Sequence, residues 1–414
     1  MYTLDMHRQY KPLNRYLNAK MDELVKKRQS CFILGPRQVG KTTLVKEYLT
    51  KEKNYREYPL QDPSIRISLE ADPARLIREV RAGNPKSLIY IDEAQKVPAL
   101  FDSVQLLIDE KRANFIITGS SARKLKRAGV NLLPGRVKRF RLDPLMFGEL
   151  GLLNPGAISE LAVSNINHNF KYSLEDIMVF GSLPGIALST QDDRVEYLKA
   201  YSDTYLEEEI RSEALSRKIG AFSKFLELAA SESGTSPNFT KLSQQSGVSQ
   251  PAIKEYYNLL EDTLIVERVD PYLTSARKRL LSSSRYYFFD TGVRNALARL
   301  PLVPEMVNAQ KGVLFEHAVI LELIRRTRSV NSNIKVNYWR TNSGLEVDCV
   351  LDMKNKVIPV EIKASSSVKL SELKGLVSFM EEYKSKCETG YVITYGGKKE
   401  KLSEKILSVP WNEM

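Results

Sequence analysis

Gly35-Pro36-Arg37-Gln38-Val39-Gly40-Lys41-Thr42 follows the apolar run Cys31-Phe32-Ile33-Leu34 and precedes a helix-forming stretch. The spacing Gly-x-x-x-x-Gly-Lys-Thr is that of a phosphate loop, and a strand before it and a helix after it are the context such a loop requires. Its glycines let successive backbone N–H groups converge on phosphate oxygens, while the helix turns its positive dipole end to the same anion. The expected ligand is ATP with Mg²⁺. Gly35, Pro36, Arg37, Gln38, Val39, Gly40, Lys41, Thr42 and Thr43 form the binding stretch, with Lys41 reaching the β- and γ-phosphates and Thr42 ligating Mg²⁺.

A second motif lies downstream. Ser87-Leu88-Ile89-Tyr90-Ile91-Asp92-Glu93 reads as a strand covered on both faces that ends in two carboxylates. At the C-terminal end of a strand in an open α/β sheet, carboxylates face the ligand crevice. Asp92 is expected at the Mg²⁺, directly or through water, and Glu93 is expected to orient and polarise the attacking water. Such a pair suits hydrolysis better than phosphoryl transfer to a bound acceptor, which argues against a small-molecule kinase.

A chain of 414 residues exceeds one comfortable core, so two or three domains are expected. Apolar stretches fall short of a membrane span and Met1 to Lys11 carries no signal-peptide core, which predicts a cytoplasmic protein without a membrane partner. Cys31, Cys349 and Cys387, with only three histidines, lack metal-ligand spacing and give no even disulfide framework. A formal charge of +12 points to a polyanion such as DNA, because Lys and Arg gain affinity by releasing counterions from phosphates.

Strands at 31–34, 55–60, 87–91 and 115–118 alternate with helices near 41–51, 73–82 and 99–111, the signature of a parallel sheet with helices on both faces. With an N-terminal helix this predicts a P-loop ATPase domain over 1–150. A helical linker region over 151–219 contains the acidic run Glu207-Glu208-Glu209, read as a solvated face. Residues 220–275 are expected to form a winged helix. Between Phe239 and Leu260, Gly247 supplies a turn, Ser249 a cap and Pro251 a first-turn residue, and Leu264 to Val269 forms the wing strand. Ser249, Gln250 and Lys254 stand where such a helix reads bases, although winged helices also serve as packing lids.

Residues 276–414 hold a second set of acids. Val336 to Arg340, Glu346 to Leu351 and Val357 to Lys363 read as strands behind a helix from Lys311 to Arg326. Strand periodicity puts Glu361 and Lys363 on one face, where Asp348 from the neighbouring strand can join them. This Asp, then Glu-x-Lys, pattern resembles the core of the PD-(D/E)xK nuclease fold, in which Glu316 on the preceding helix is the usual fourth acidic group. In that chemistry Asp348, Glu361 and Glu316 hold one or two metal ions and Lys363 stabilises developing charge. The fold class is therefore α/β: a P-loop parallel sheet, then a helical and winged-helix region, then a nuclease-like α/β domain.

Read in order, Asp92-Glu93-Ala94-Gln95-Lys96-Val97-Pro98, Ile117-Thr118-Gly119-Ser120-Ser121, Gly135-Arg136, Pro144-Leu145 with Glu149, Phe288-Phe289-Asp290-Thr291-Gly292, Leu314-Phe315-Glu316, Glu346-Val347-Asp348 and Glu361-Ile362-Lys363 resemble a prokaryotic AAA-family ATPase group that joins a P-loop domain to a C-terminal domain of unknown function. The resemblance implies a γ-phosphate sensor at Ser120, with Thr118 second. It also implies a functional arginine at Arg136, either a finger given to a neighbouring subunit of a homo-oligomer or an internal sensor. Pro134 and the acidic run 207–209 depart from that pattern. The expected activity is Mg²⁺-dependent ATP hydrolysis acting on DNA, with a nuclease-like domain behind it whose metal-dependent cleavage is left open. The alternative is a nucleotide-gated switch whose rear domain is a silent scaffold.

Overall fold

The computed structural model describes residues 13–121, 133–154, 156–167, 170–205, 219–273, 283–330 and 333–414. The acidic run 207–209 and residues 122–132 lie outside them. The chain divides into two compact units, Met1–Leu142 and Asp143–Met414.

The first unit is built on a five-stranded parallel sheet. Helix α1 (Leu17–Lys26) leads into β1 (Ser30–Leu34). Then come α2 (Lys41–Leu49), β2 (Tyr55–Pro59), α3 (Pro63–Ala71), α4 (Ala74–Ala82), β3 (Ser87–Asp92), α5 (Leu100–Asp109), β4 (Ala113–Gly119) and β5 (Val137–Arg141). The order across the sheet is β2-β3-β4-β1-β5 with every pair parallel. All five strands therefore end on one edge, where the loop after β1 and the acids after β3 meet. One face packs Phe32, Ile89, Ile91, Phe115 and Ile117 against Leu76, Val80, Leu100, Phe101 and Val104. Each side chain so buried contributes roughly 1.5–3 kcal/mol. Sequence periodicity predicts neither α3 nor β5. Helix α3 starts from a local signal, the Asp62 carboxylate accepting from Ser64 N with Pro63 in the first turn. Strand β5 reads Val-Lys-Arg-Phe-Arg, whose charges hide an edge strand.

The second unit opens with short helices, α6 (Leu174–Phe180), α7 (Pro184–Ala187) and α8 (Gln191–Ala200). Helices α9 (Ile219–Ser231), α10 (Phe239–Ser246) and α11 (Gln250–Asp262) follow, with Gly247 left-handed at φ 71° between the last two. Strands β6 (Val266–Pro271) and β7 (Arg285–Phe288) form an antiparallel hairpin beside them. Ser249 occupies the N-cap position of α11, but its side chain makes no capping bond, contrary to expectation. After α12 (Thr291–Leu297) the long α13 (Met306–Val330) runs behind β8 (Lys335–Arg340), β9 (Glu346–Asp352) and β10 (Val357–Lys363). Helix α14 (Lys374–Glu382) and strands β11 (Gly390–Thr394), β12 (Glu400–Lys401) and β13 (Ile406–Pro410) complete it. The sheet order is β12-β13-β11-β10-β9-β8-β6-β7, so the hairpin continues the rear sheet through a parallel β6–β8 pair.

Candidate active site

Two clusters of charged side chains lie inside these units. In the first, Gly40 at φ 91° turns the chain from the loop into α2, which begins at Lys41. Gly35 admits no side chain, because a Cβ there would stand 2.2 Å from the Leu142 carbonyl oxygen. The Lys41 ammonium is 5% exposed and donates to the carbonyls of Gly35 and Pro36, each at 2.9 Å. Glu93 Oε1 lies 3.8 Å from it. Within the same unit the Arg15 guanidinium donates to Val39 O at 2.9 Å, tying the segment before α1 to the loop.

Asp92 ends β3 among hydroxyls. Thr118 donates to Oδ1 at 2.5 Å, Tyr90 to Oδ1 at 2.8 Å, and Thr42 Oγ1 stands 3.3 Å from Oδ2. Burial, and then Asp92 itself, push the Tyr90 phenol up, so it stays a donor. Glu93 follows in the left-handed region at φ 55°, which turns its carboxylate away from that of Asp92. Glu93 Oε2 accepts from Ser120 Oγ at 2.8 Å and from the Gln95 amide, and Gln95 Nε2 also reaches Ser120 Oγ at 2.9 Å. The two sensor candidates therefore divide the acids: Thr118 serves Asp92 and Ser120 serves Glu93. Neither Gln95 nor Tyr90 was identified from the sequence as a partner of these acids. Gln95 lies on a short 3₁₀ turn that follows the left-handed Glu93, and that reversal leaves no mark on hydrophobic periodicity.

These residues fit a nucleoside triphosphate and a divalent cation. The loop is cramped enough to require glycine at Gly35, and the Thr42 hydroxyl and Asp92 carboxylate converge where a hard cation takes oxygen ligands. Mg²⁺ would be held by Thr42 and Asp92, and when bound it neutralises phosphate charge. Lys41, released from the two carbonyls, would meet the phosphates, and Glu93 would hold a water.

Arg136 stands elsewhere. Strand β5 pairs in register with β1, Val137 opposite Ser30 and Arg141 opposite Leu34. Arg136 therefore precedes the strand-start edge, at least four residues, or about 13 Å, of strand away from the loop that follows Leu34. Its guanidinium forks onto Asp109 at 2.6 and 3.0 Å. Parallel strand direction thus places Arg136 at the edge of the sheet opposite the phosphate loop.

The rear cluster gathers on β9, β10 and α13. Ile362 N donates to Asp348 Oδ2 at 2.8 Å, and Lys363 Nζ to Glu361 Oε1 at 2.7 Å, so Glu361 and Lys363 do share a face. Glu361 Oε2 is buried without a partner. Burial, reinforced by Asp348, pushes Glu361 up to about 7, and burial raises Asp348 as well. Glu316 is diverted: Tyr287 donates to its Oε1 at 3.0 Å and Arg285 stands 3.9 Å away, while Arg285 also binds Glu346 at 2.9 Å. Burial, then Asp348, lifts Glu316 to about 7. Glu316, Asp348 and Glu361 thus do not converge into a three-carboxylate cage. Among the described residues no group of three or more His, Cys, Asp or Glu side chains could hold a metal ion.

The parallel sheet, the glycine-bound loop and the paired acids define the class, an α/β protein of the P-loop NTPase type. Residues 27–151 match the family model described as AAA domain, and residues 171–302 and 311–414 match two domains of unknown function, DUF8612 and DUF4143. The chain is similar to uncharacterized protein Rv2008c of Mycobacterium tuberculosis, 25% identical over 344 residues that make up 82% of this chain and 71% of the relative. It is also similar to uncharacterized protein MJ1544 of Methanocaldococcus jannaschii, 23% identical over 383 residues, 88% of this chain and 81% of the relative. Among solved structures, the Walker-type ATPase PABY2304 of Pyrococcus abyssi aligns with a TM-score of 0.45 at 12% identity, covering 70% of this chain and 97% of that one. Among the described residues no helix is long and apolar enough to cross a membrane.

Proposed function

We propose that the protein is a Mg²⁺-dependent ATPase whose nucleotide cycle acts on DNA. The observation that carries the ATPase reading is the meeting of Lys41, Thr42, Asp92, Glu93 and Ser120 on one sheet edge, where Glu93 Oε2 is held by Ser120 and Gln95. Glu93 takes a proton from a water aligned by Ser120, Lys41 stabilises charge on the departing phosphate oxygens, and Asp92 with Thr42 anchors the cation. Lys41→Ala is expected to abolish both nucleotide binding and turnover. Glu93→Gln should retain binding and lose roughly 10²–10³-fold in kcat, the loss typical of one well-placed catalytic group. Steady-state hydrolysis beside calorimetric ATP binding separates the two. A Lys41→Ala protein that still turns over ATP would refute the assigned site.

DNA is supported by the net charge of +12, since Lys and Arg gain affinity from phosphates by releasing counterions. Arg136, exposed at the strand-start edge, suits a finger offered to a second copy in a homo-oligomer. A second reading, the nucleotide-gated switch, is favoured by Arg285, whose guanidinium lies among the rear carboxylates where a nuclease would take its cation. The orphaned Glu361 oxygen favours cleavage. An assay of duplex DNA with Mg²⁺ or Mn²⁺ decides: metal-dependent nicking lost in Asp348→Ala and Lys363→Ala, with ATP hydrolysis intact, would establish the nuclease, and no nicking would leave the switch.

A further inference from the structure

The excess charge is not shared between the two units. Residues 1–142 carry 29 Lys and Arg against 15 Asp and Glu, whereas residues 143–414 carry 33 against 35. The helix-turn-helix follows its unit. Helix α11 holds one cation, Lys254, against Glu255, Glu261 and Asp262, and the Lys254 ammonium sits 5.5 Å over the Phe239 ring. A helix of that charge repels phosphates rather than gathering them.

The positive charge has a site in the first unit, at the sheet edge opposite the phosphate loop. A cavity of about 510 Å³ there is lined by Arg28, Lys86, Lys111, Arg136 and Lys138, and by no carboxylate. Arg28, Lys86, Lys111 and Arg136 stand just before β1, β3, β4 and β5, and Lys138 is the second residue of β5. Because the order is β3-β4-β1-β5, these cations form a row across four adjacent strand starts. At about 4.8 Å per strand the row is roughly 14 Å long, which on duplex DNA faces about eight phosphate charges at ~1.7 Å each.

Two further observations fit a ligand-directed row. Arg28, Lys86 and Lys111 all take positive φ, 50°, 60° and 53°, a conformation glycine adopts at no steric cost, and long cations stand there instead. Of the row, Arg136 is paired with Asp109 and Lys138 lies within electrostatic reach of Glu23, while Glu110 is engaged by Arg81 and Glu23 by Lys27. Among the described residues no carboxylate lies within ion-pair distance of Lys86 or Lys111.

We infer that the strand-start edge of the P-loop sheet is the docking surface for the phosphodiester backbone of duplex DNA, and that this edge, not the helix-turn-helix, supplies the electrostatic grip. The inference rests on the DNA reading above and names its site. The test uses the full chain, a fluorescent duplex of about 20 base pairs spanning more than one such footprint, and anisotropy titrations across a range of salt. Lys86→Glu/Lys111→Glu should lose at least ~30-fold in affinity near 0.1 M salt, with a log–log salt slope shallower by about 2, since each phosphate contact contributes ~0.9. Lys86→Gln/Lys111→Gln should lose less in the same direction, which guards against a misfolded charge-reversal variant. Lys254→Glu should stay within about threefold of wild type, as expected for a residue outside the phosphate contacts, and ATP hydrolysis without DNA should be unchanged in all three. Equal DNA affinity in wild type and the double variants, or a larger loss in Lys254→Glu, overturns the assignment while leaving DNA binding intact. Failure of the wild type to bind the duplex at low salt overturns the DNA reading itself, and this inference with it.

Discussion

Glu361 is an acid that the fold makes reluctant to ionise: it is 6% exposed, one carboxylate oxygen has no donor, and Asp348 crowds it. Its folded pKa, about 7, lies above the ordinary 4.5, so the folded state binds the extra proton. The stability tied to that proton is complete below about pH 4.5 and is lost as pH rises through 7. In buffer without divalent cations, wild type should therefore lose stability relative to Glu361→Gln between pH 4.5 and 7, by on the order of 1 kcal/mol because the titration is shared with Asp348 while Lys363 stays charged beside it. Chemical denaturation at several pH values measures that difference, and a flat difference curve would mean Glu361 ionises freely. At this scale the meeting of Lys41, Thr42, Asp92 and Glu93 was legible in the sequence, because fixed spacing puts them on a helix start and a strand end that share one sheet edge. Gln95 was not legible as their partner, since it reaches Glu93 and Ser120 only through a left-handed turn. Glu316 lies on the expected helix, but its partners Tyr287 and Arg285 were not legible, because they come from a different element, β7.

Elements are joined by a motif quoted from the sequence without a mechanism, Phe288-Phe289-Asp290-Thr291-Gly292. Asp290 is fully buried; its carboxylate accepts from Ser182 N at 2.7 Å and caps α12 through Val293 N at 3.1 Å. The Thr291 hydroxyl donates to Ile177 O, and Asn295 donates to Met178 O and Val179 O, all near the end of α6. Gly292 completes the joint, because a Cβ would stand 2.0 Å from Phe180 O. Backbone cannot yield as a flexible side chain does, so Gly292→Ala should destabilise the second unit by about 1–3 kcal/mol, the range for overpacking. Denaturant unfolding followed by tryptophan fluorescence tests this, since Trp339 and Trp411 both lie in that unit; a change under 0.5 kcal/mol would show that α6 and α12 slide apart easily. Periodicity located the buried strands β1, β3, β9 and β10 to within a residue or two. It missed β5 and α3, where charge alternation and a local Asp-Pro cap replace the apolar signal.

The whole molecule is two units of unlike charge, each with its own core, and the phosphate loop belongs to the first. The first unit buries Phe32, Phe101 and Phe115 together, whereas the second packs Tyr272, Trp339, Val350 and Phe379 around its rear sheet. A ligand that binds one native unit stabilises that unit alone, by RT ln(1 + [L]/Kd). With a non-hydrolysable ATP analogue and Mg²⁺ at about 100 times the dissociation constant, the first unit should gain ~2.7 kcal/mol, while the second unit's transition stays where it was. Both tryptophans lie in the second unit, so fluorescence follows that unit while far-ultraviolet circular dichroism sees both. The two probes should diverge on adding nucleotide, with the dichroism midpoint moving up and the fluorescence midpoint holding. Lys41→Ala should erase the divergence, because the ammonium that would meet the phosphates is gone. If the fluorescence midpoint rose equally with nucleotide, the second unit would be coupled to the bound state, which is the behaviour a nucleotide-gated switch requires.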